Sequence, residues 1–196
     1  MQVWDVIVLG AGCAGLTLVN EMIARGEVQL KILLLEERSE YTNDRTWCFW
    51  NTFNHRFENA VSYRWSRWSV HYAGEVAHCR GTYQYQYLRA EHFYRLALAP
   101  IYCSSKMILR LGEQVQTVQE GEDHVRIHTH QGTYTSRYVI DTRPTDHQRR
   151  KVVPPNVHWL QHFMGWKVKT KQACFQSNEV TLMDFDGGRE AAEIHR

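Results

Sequence analysis

An α/β fold built on a parallel sheet is what this sequence predicts, and three observations carry the prediction. Residues 3–9 are nearly all apolar and rich in valine, as a central parallel strand covered on both faces must be. Gly10, Gly12 and Gly15 follow at once in the GxGxxG spacing and open a helix pattern. A second apolar run, Lys31 to Leu35, ends at Glu36 and Glu37. Strand, glycine turn, helix, strand and acidic residue, in that order, describe a βαβ unit that binds a dinucleotide.

Each glycine of the turn has a physical task. Gly10 permits the tight turn, Gly12 lets backbone approach a pyrophosphate, and Gly15 lets the helix pack closely on the strand. Ala11 and Ala14 lie in the same turn and join them as candidate cofactor contacts. The phosphates would rest on the positive end of the helix. That helix takes its apolar face from Leu16, Leu18, Val19, Met22 and Ile23, and Gly26 is its expected stop. A ribose hydroxyl is bound by an acidic residue about 20 positions after the last glycine. Glu36 fits that separation and comes first after the apolar run, with Glu37 as the alternative.

The bulk composition narrows the classes. The 196 residues suit one large domain, or one domain and part of another, and 43% hydrophobic content is enough for a core. Twenty-three basic against 21 acidic residues leave a formal charge of +2, too balanced for a nucleic-acid partner. Arg149, Arg150 and Lys151, with Arg143 before them, read as a solvated loop. The 11 histidines come without HExxH or CxxC spacing, so no metal site is expected. Cys13, Cys48, Cys79, Cys103 and Cys174 are odd in number and unpaired in spacing, which suits a reducing cytoplasm. The N-terminus has no secretory pattern, and no apolar run reaches the 18 or so residues a spanning helix needs.

Residues 38–52 crowd polar and aromatic groups without periodicity and read as a loop leaving the carboxyl end of the second strand. Arg45 within it is a candidate to pair with a pyrophosphate or reach a flavin edge. From 61 to 87 aromatic residues alternate, predicting an antiparallel insertion over about 53–87 with turns at Gly74 and Gly81. Helical spacing resumes at Leu88, Phe93, Leu96 and Ala97, and Pro100 is the expected stop. Arg89, placed in that first turn, is either a phosphate contact or a solvent-facing base. Three strands are expected over 107–109, 125–129 and 134–140, with turns at Gly121-Glu122-Asp123 and Gln131-Gly132. Asp141 closes the last of them, as a ligand contact or a cap. Pro144, Pro154 and Pro155 mark the expected boundary, giving a nucleotide-binding domain over 1–150. Residues 158–168 and 179–185 then read as two strands beginning a second, β-rich sheet over 151–196. Two strands make no stable sheet alone, so this second domain is expected to be truncated.

Four stretches resemble one family: VIVLGAGCAGL, LLLLEERSEYTNDRTWCFW, VIDTRP, and the pair QHFMGWKV and VTLMDFD. Together they are similar to the bacterial lycopene cyclases of carotenoid synthesis, flavoproteins related to the aromatic hydroxylases and geranylgeranyl reductases. The resemblance implies a Rossmann-like FAD-binding fold with an antiparallel β insertion and the start of a β-rich substrate domain. It implies FAD, required in its reduced form with NADPH as a possible reductant, and lycopene or a related acyclic carotenoid as substrate. It further implies peripheral membrane association in the cytoplasm. Family members are about twice this long, so the chain is expected to be an N-terminal fragment, inactive alone. The catalytic residue is left unassigned: the resemblance implies that the family's proton-donating acidic motif is to be expected beyond residue 196, with Asp184 only a weak candidate here.

The chemistry that the resemblance implies is an isomerisation. A carboxylic acid protonates a terminal double bond, the neighbouring alkene closes a six-membered ring, and a proton is lost. Reduced flavin would stabilise the cation electrostatically in a dry pocket. Trp47, Phe49, Trp50, Phe163 and Trp166 are suited to line such a pocket or to pack a core. A redox flavoenzyme, either a monooxygenase or an isoprenoid reductase, and a non-catalytic cofactor-binding fragment are the alternatives.

Overall fold

The protein is described by a computed structural model covering residues 2–26, 29–51, 53–144 and 165–186. In chain order its elements are β1 (Val3–Leu9), α1 (Cys13–Ala24), β2 (Ile32–Leu35), β3 (Thr46–Asn51), a 3₁₀ turn (Glu58–Ala60), β4 (Val61–Tyr72), β5 (Glu75–Arg89), α2 (Ala90–Tyr102), β6 (Met107–Arg110), β7 (Val115–Glu120), β8 (Val125–Thr129), β9 (Thr133–Asp141) and β10 (Glu179–Asp184). The chain divides into two compact units, Met1–Thr42 with Phe93–Gln161, and Asn43–His92 with His162–Arg196. The expected boundary at Pro154 and Pro155, the Arg149 to Lys151 cluster, and Phe163 lie outside the described residues.

The first unit holds a six-stranded sheet in the order β6-β2-β1-β9-β8-β7. β1 lies between β2 and β9, both parallel to it, and β6 adds in parallel to β2. β7, β8 and β9 form an antiparallel meander at the other side. All four residues of β2 and the last four of β1 are buried, the pattern of parallel strands covered on both faces. Trp4, Ile7, Leu9, Leu33, Leu35 and Ile127 make one apolar cluster, and α1 buries Leu16 and Val19. Each such side chain contributes about 1.5–3 kcal/mol by leaving water.

Three differences from the sequence reading arise here. β7 was not expected, because as an edge strand only Val115 of its six residues is even partly buried. Pro100 does not stop α2, which runs on to Tyr102. Near a helix end the missing N–H removes a single bond, and the last turn still closes through Cys103 N–H to the Ala99 carbonyl at 3.1 Å. Phe93, Tyr94, Ala97, Leu98 and Ile101 form its buried side, whereas Leu88 and Arg89 belong to β5 and not to the helix.

The second unit holds a four-stranded sheet in the order β10-β4-β5-β3. β4 and β5 form a long hairpin in which Tyr72 pairs with Glu75. The two linking residues, Ala73 and Gly74, have φ of 55° and 81°, the double left-handed turn that matches strand twist. Gly81 is not a turn, contrary to expectation. It lies inside β5, where a Cβ would come within 2.7 Å of the Trp68 ring, so the glycine makes room for the indole. β3 replaces part of the expected 38–52 loop and pairs antiparallel with β5. β10 does not begin a separate sheet: it adds in parallel to β4, with a register shift between Thr181 and Met183. Residues 165–168 are not a strand, and the rest of the expected 158–168 strand lies outside the described residues.

Candidate functional site

The site grows from the carboxyl end of β1. Gly10 turns the chain at φ +87°, a left-handed conformation that glycine adopts without strain. Gly12 caps α1 with extended backbone, no side chain caps the helix start, and its first turn carries no acidic residue. The free N–H groups and the helix dipole therefore face outward, an arrangement suited to an anion. A Cβ on Gly12 would meet nothing within 4 Å, so the space beside it is open. A Cβ on Gly15 would instead overlap the Gly10 carbonyl oxygen. The two glycines thus serve different ends: one leaves room beside the helix start, the other permits helix and turn to touch. Ala11 is fully buried and Ala14 is exposed on the first turn. Burial pushes the neighbouring Cys13 thiol up, so it stays neutral.

Glu36 meets this turn directly. Only 7% exposed, it accepts the Ala11 N–H at Oε2 (2.7 Å). At Oε1 it takes the Arg38 N–H at 3.2 Å and the Arg38 guanidinium at 3.1 Å. An ionised carboxylate offers about four acceptor sites, so capacity remains for a hydroxyl donor. Glu37 is exposed and accepts from Gln114 at 2.8 Å. Of the two carboxylates, Glu36 is therefore the one at the turn.

Residues that the sequence reading passed over hold the turn in place. The Tyr41 hydroxyl donates to the Ala11 carbonyl at 2.8 Å, and its ring lies 4.5 Å from that of Tyr94. Arg38 sits over both rings, at 5.4 and 5.6 Å, and donates to the Tyr94 hydroxyl at 2.6 Å. Burial, reinforced by the Glu36 charge, pushes the Tyr41 phenol well above its ordinary range. Just past the end of β9, Thr142 donates its hydroxyl to the Leu9 and Gly10 carbonyls at 3.0 and 2.8 Å. Thr142 stood in the VIDTRP strand end and Tyr41 in the aromatic block. Neither signals its reach, because a lone hydroxyl leaves no periodic trace.

The remaining candidates are placed as follows. Asp141 ends β9 opposite Leu9, and its carboxylate takes the Arg143 N–H and guanidinium at 2.7–3.0 Å. Those hydrogen bonds hold Asp141 below the usual carboxylate range. Arg143 also passes beside Gly10, a basic group at the turn that the solvated-loop reading did not foresee. Arg45 and Arg89 belong to the second unit, where the Arg45 carbonyl accepts the Ala90 N–H at 3.1 Å. Arg45 lies 3.6 Å from Asp44, and Arg89 pairs with Glu91 at 2.7 Å. Asp184 sits on β10 with its side chain 46% exposed, 3.7 Å from His71. β3 sends Trp47 and Phe49 to one face and Trp50 to the other, where Trp50 meets Trp68 and Tyr85 at 4.4 and 4.8 Å. The aromatic block therefore does not line a single wall, because a strand alternates its side chains. Trp166 is exposed. Among the described residues no three His, Cys, Asp or Glu side chains gather as a metal site, and no helix is long and apolar enough to cross a membrane.

The family described as lycopene cyclase protein matches residues 5–195. The chain belongs to the lycopene cyclase family. Comparison with curated proteins finds no match. Among solved structures the chain is similar to p-nitrophenol 4-monooxygenase PnpA from Pseudomonas putida DLL-E4, with TM-score 0.59, 14% identity, and coverage of 76% of this chain and 42% of that one. Halogenase PltM, solved with phloroglucinol and FAD, gives TM-score 0.54, 12% identity, and coverage of 76% and 36%. The amino acid oxidase NikD gives TM-score 0.52, 15% identity, and coverage of 72% and 51%. These likenesses establish the fold: this cyclase-family chain has a Rossmann-like architecture and spans roughly half or less of the length of those proteins.

Proposed function

We propose that this chain binds FAD at the glycine turn and forms the flavin-binding part of a lycopene cyclase, converting the ends of lycopene into β-rings without net redox change. The observation that carries the reading is the uncapped start of α1 with open space beside Gly12, next to the buried Glu36. The N–H groups of the first turn would hold the pyrophosphate, with Gly12 and Ala14 nearest, and Glu36 would accept from the ribose hydroxyls. Tyr41 and Thr142 keep the turn in shape. Arg45, Arg89 and Asp141 remain proposed cofactor contacts. Bound and reduced, the flavin supplies negative charge that favours a cationic transition state. NADPH is the proposed source of that reduction.

Family membership supports a carotenoid as the substrate. Tyr72, Met183 and Phe185, exposed on the second unit, support contact with a lipid surface. Five free cysteines support a cytoplasmic setting for that contact. Asp184 is the proton-donor candidate within the chain.

Reconstitution with FAD followed by visible absorbance tests the reading. A yellow protein is expected, and tight NADPH binding without flavin uptake would overturn it. The second reading, a redox flavoenzyme, is favoured by likeness to a monooxygenase and a halogenase. NADPH oxidation in step with substrate oxidation would establish it, whereas β-ring pigment without net NADPH use favours the cyclase.

A further inference from the structure

Glu36 is not steered by its own strand alone. Its N–H donates to the Arg110 carbonyl at 2.9 Å, and its carbonyl accepts the Glu113 N–H at 2.8 Å. Both backbone polar groups are thus fixed by the two ends of one turn, residues 110–113. Gly112 closes that turn at φ +71° and donates its N–H to the Arg38 carbonyl at 3.0 Å, so the wrap extends over the residue that pairs with the Glu36 carboxylate.

Glu113 anchors this turn in the sheet. It is 2% exposed, and its carboxylate accepts from the Thr129 hydroxyl at 2.6 Å and from the Tyr134 hydroxyl. Thr129 Oγ1 accepts in turn from the N–H groups of Gln131 and Gly132, at 3.1 and 3.2 Å. The Arg110 guanidinium lies 5.6 Å over the Tyr134 ring. A buried carboxylate is strongly unfavourable unless hydrogen-bonded, and an apolar side chain would fill the space without that penalty. What the carboxylate adds is direction: two hydroxyls from β8 and β9 fix where residue 113, and through it residue 36, must lie.

We propose that Glu113 is a positioning residue for Glu36, transmitting the geometry of the β8–β9 hairpin to the carboxylate at the glycine turn. The proposal rests on the reading that Glu36 accepts from a ribose hydroxyl.

The test compares binding of ADP and 2′,3′-dideoxy-ADP to the full chain by calorimetry. Wild type should prefer ADP by roughly 10- to 100-fold, the effect of a charged hydrogen bond. Glu113→Gln should cut this preference by about threefold or more, while affinity for the dideoxy compound stays as in wild type. A merely structural defect would weaken both ligands alike. If Glu113→Gln fails to fold, Tyr134→Phe carries the test, removing one donor to Glu113 with the same expected direction. In a Glu36→Gln background, Tyr134→Phe should produce no further change in preference. Full wild-type preference in the folded Glu113 or Tyr134 variant overturns the proposal and leaves the Glu36 reading standing. Equal wild-type affinity for the two ligands overturns that reading, and the proposal with it.

Discussion

Gly12 and Gly15 share a single turn, yet a methyl group meets opposite surroundings at each. Beside Gly12 there is open space, so Gly12→Val should fold like wild type, by circular dichroism, and fail to take up FAD. At Gly15 the added carbon would overlap the Gly10 carbonyl, so Gly15→Ala should lower the denaturant midpoint by an amount equivalent to about 1–3 kcal/mol, with or without cofactor. The spacing of the motif and a separate task for each glycine were legible in the sequence, but the identity of the atom that crowds Gly15, the Gly10 carbonyl oxygen, was not, because it depends on which atoms stand opposite each Cα. Tyr41 gives a pH prediction. Its folded-state pKa lies above the ordinary 10, raised by burial and then by Glu36. The stability it contributes is therefore fully present below about pH 10 and is lost as pH rises through the folded value. Burial also raises Tyr85 and Tyr134, so ultraviolet phenolate titration should show several late-ionising tyrosines, and Tyr41→Phe should remove one of them.

The β4–β5 hairpin turns on Ala73 at φ 55°, a conformation that costs a residue with a Cβ roughly 1–2 kcal/mol. Asparagine tolerates it better, so Ala73→Asn should stabilise the chain by about 0.5–1 kcal/mol, read as a higher denaturant midpoint with an unchanged slope. Elements whose patterns are set by burial were legible: β1, β2 and β8 fall where apolar runs or alternation place them. Elements set by their neighbours were not. β7 lies at an edge and shows water most of its side chains, and β3 hid among polar residues that loops also favour. The turn expected at Gly81 failed because glycine serves a neighbouring ring as readily as a bend. β10 read correctly as a strand, but its partner depended on a pairing that spans more than a hundred residues of chain.

For the chain as a whole, ligand and stability are linked. FAD held at about 100 times its dissociation constant should stabilise the folded state by about 2.7 kcal/mol. Hydrogen exchange should slow in β1, β2 and β9, the strands whose carboxyl ends surround the glycine turn, and an unchanged exchange pattern would count against binding there. The order of this sheet has a further consequence. β1 sits at its centre, yet its partner β9 lies at Thr133–Asp141, with Val3 matched to Thr135 and Leu9 to Asp141. At about 5–20 residues added per second, an emerging chain waits on the order of ten seconds between making the first strand and making its mate. During translation one side of this central strand stands bare, sticky and unable to pair. Closing such a distant contact is also slow in itself. Yield in the cell should thus depend on translation speed and on chaperones that shelter the nascent N-terminus, as much as on the stability of the finished fold.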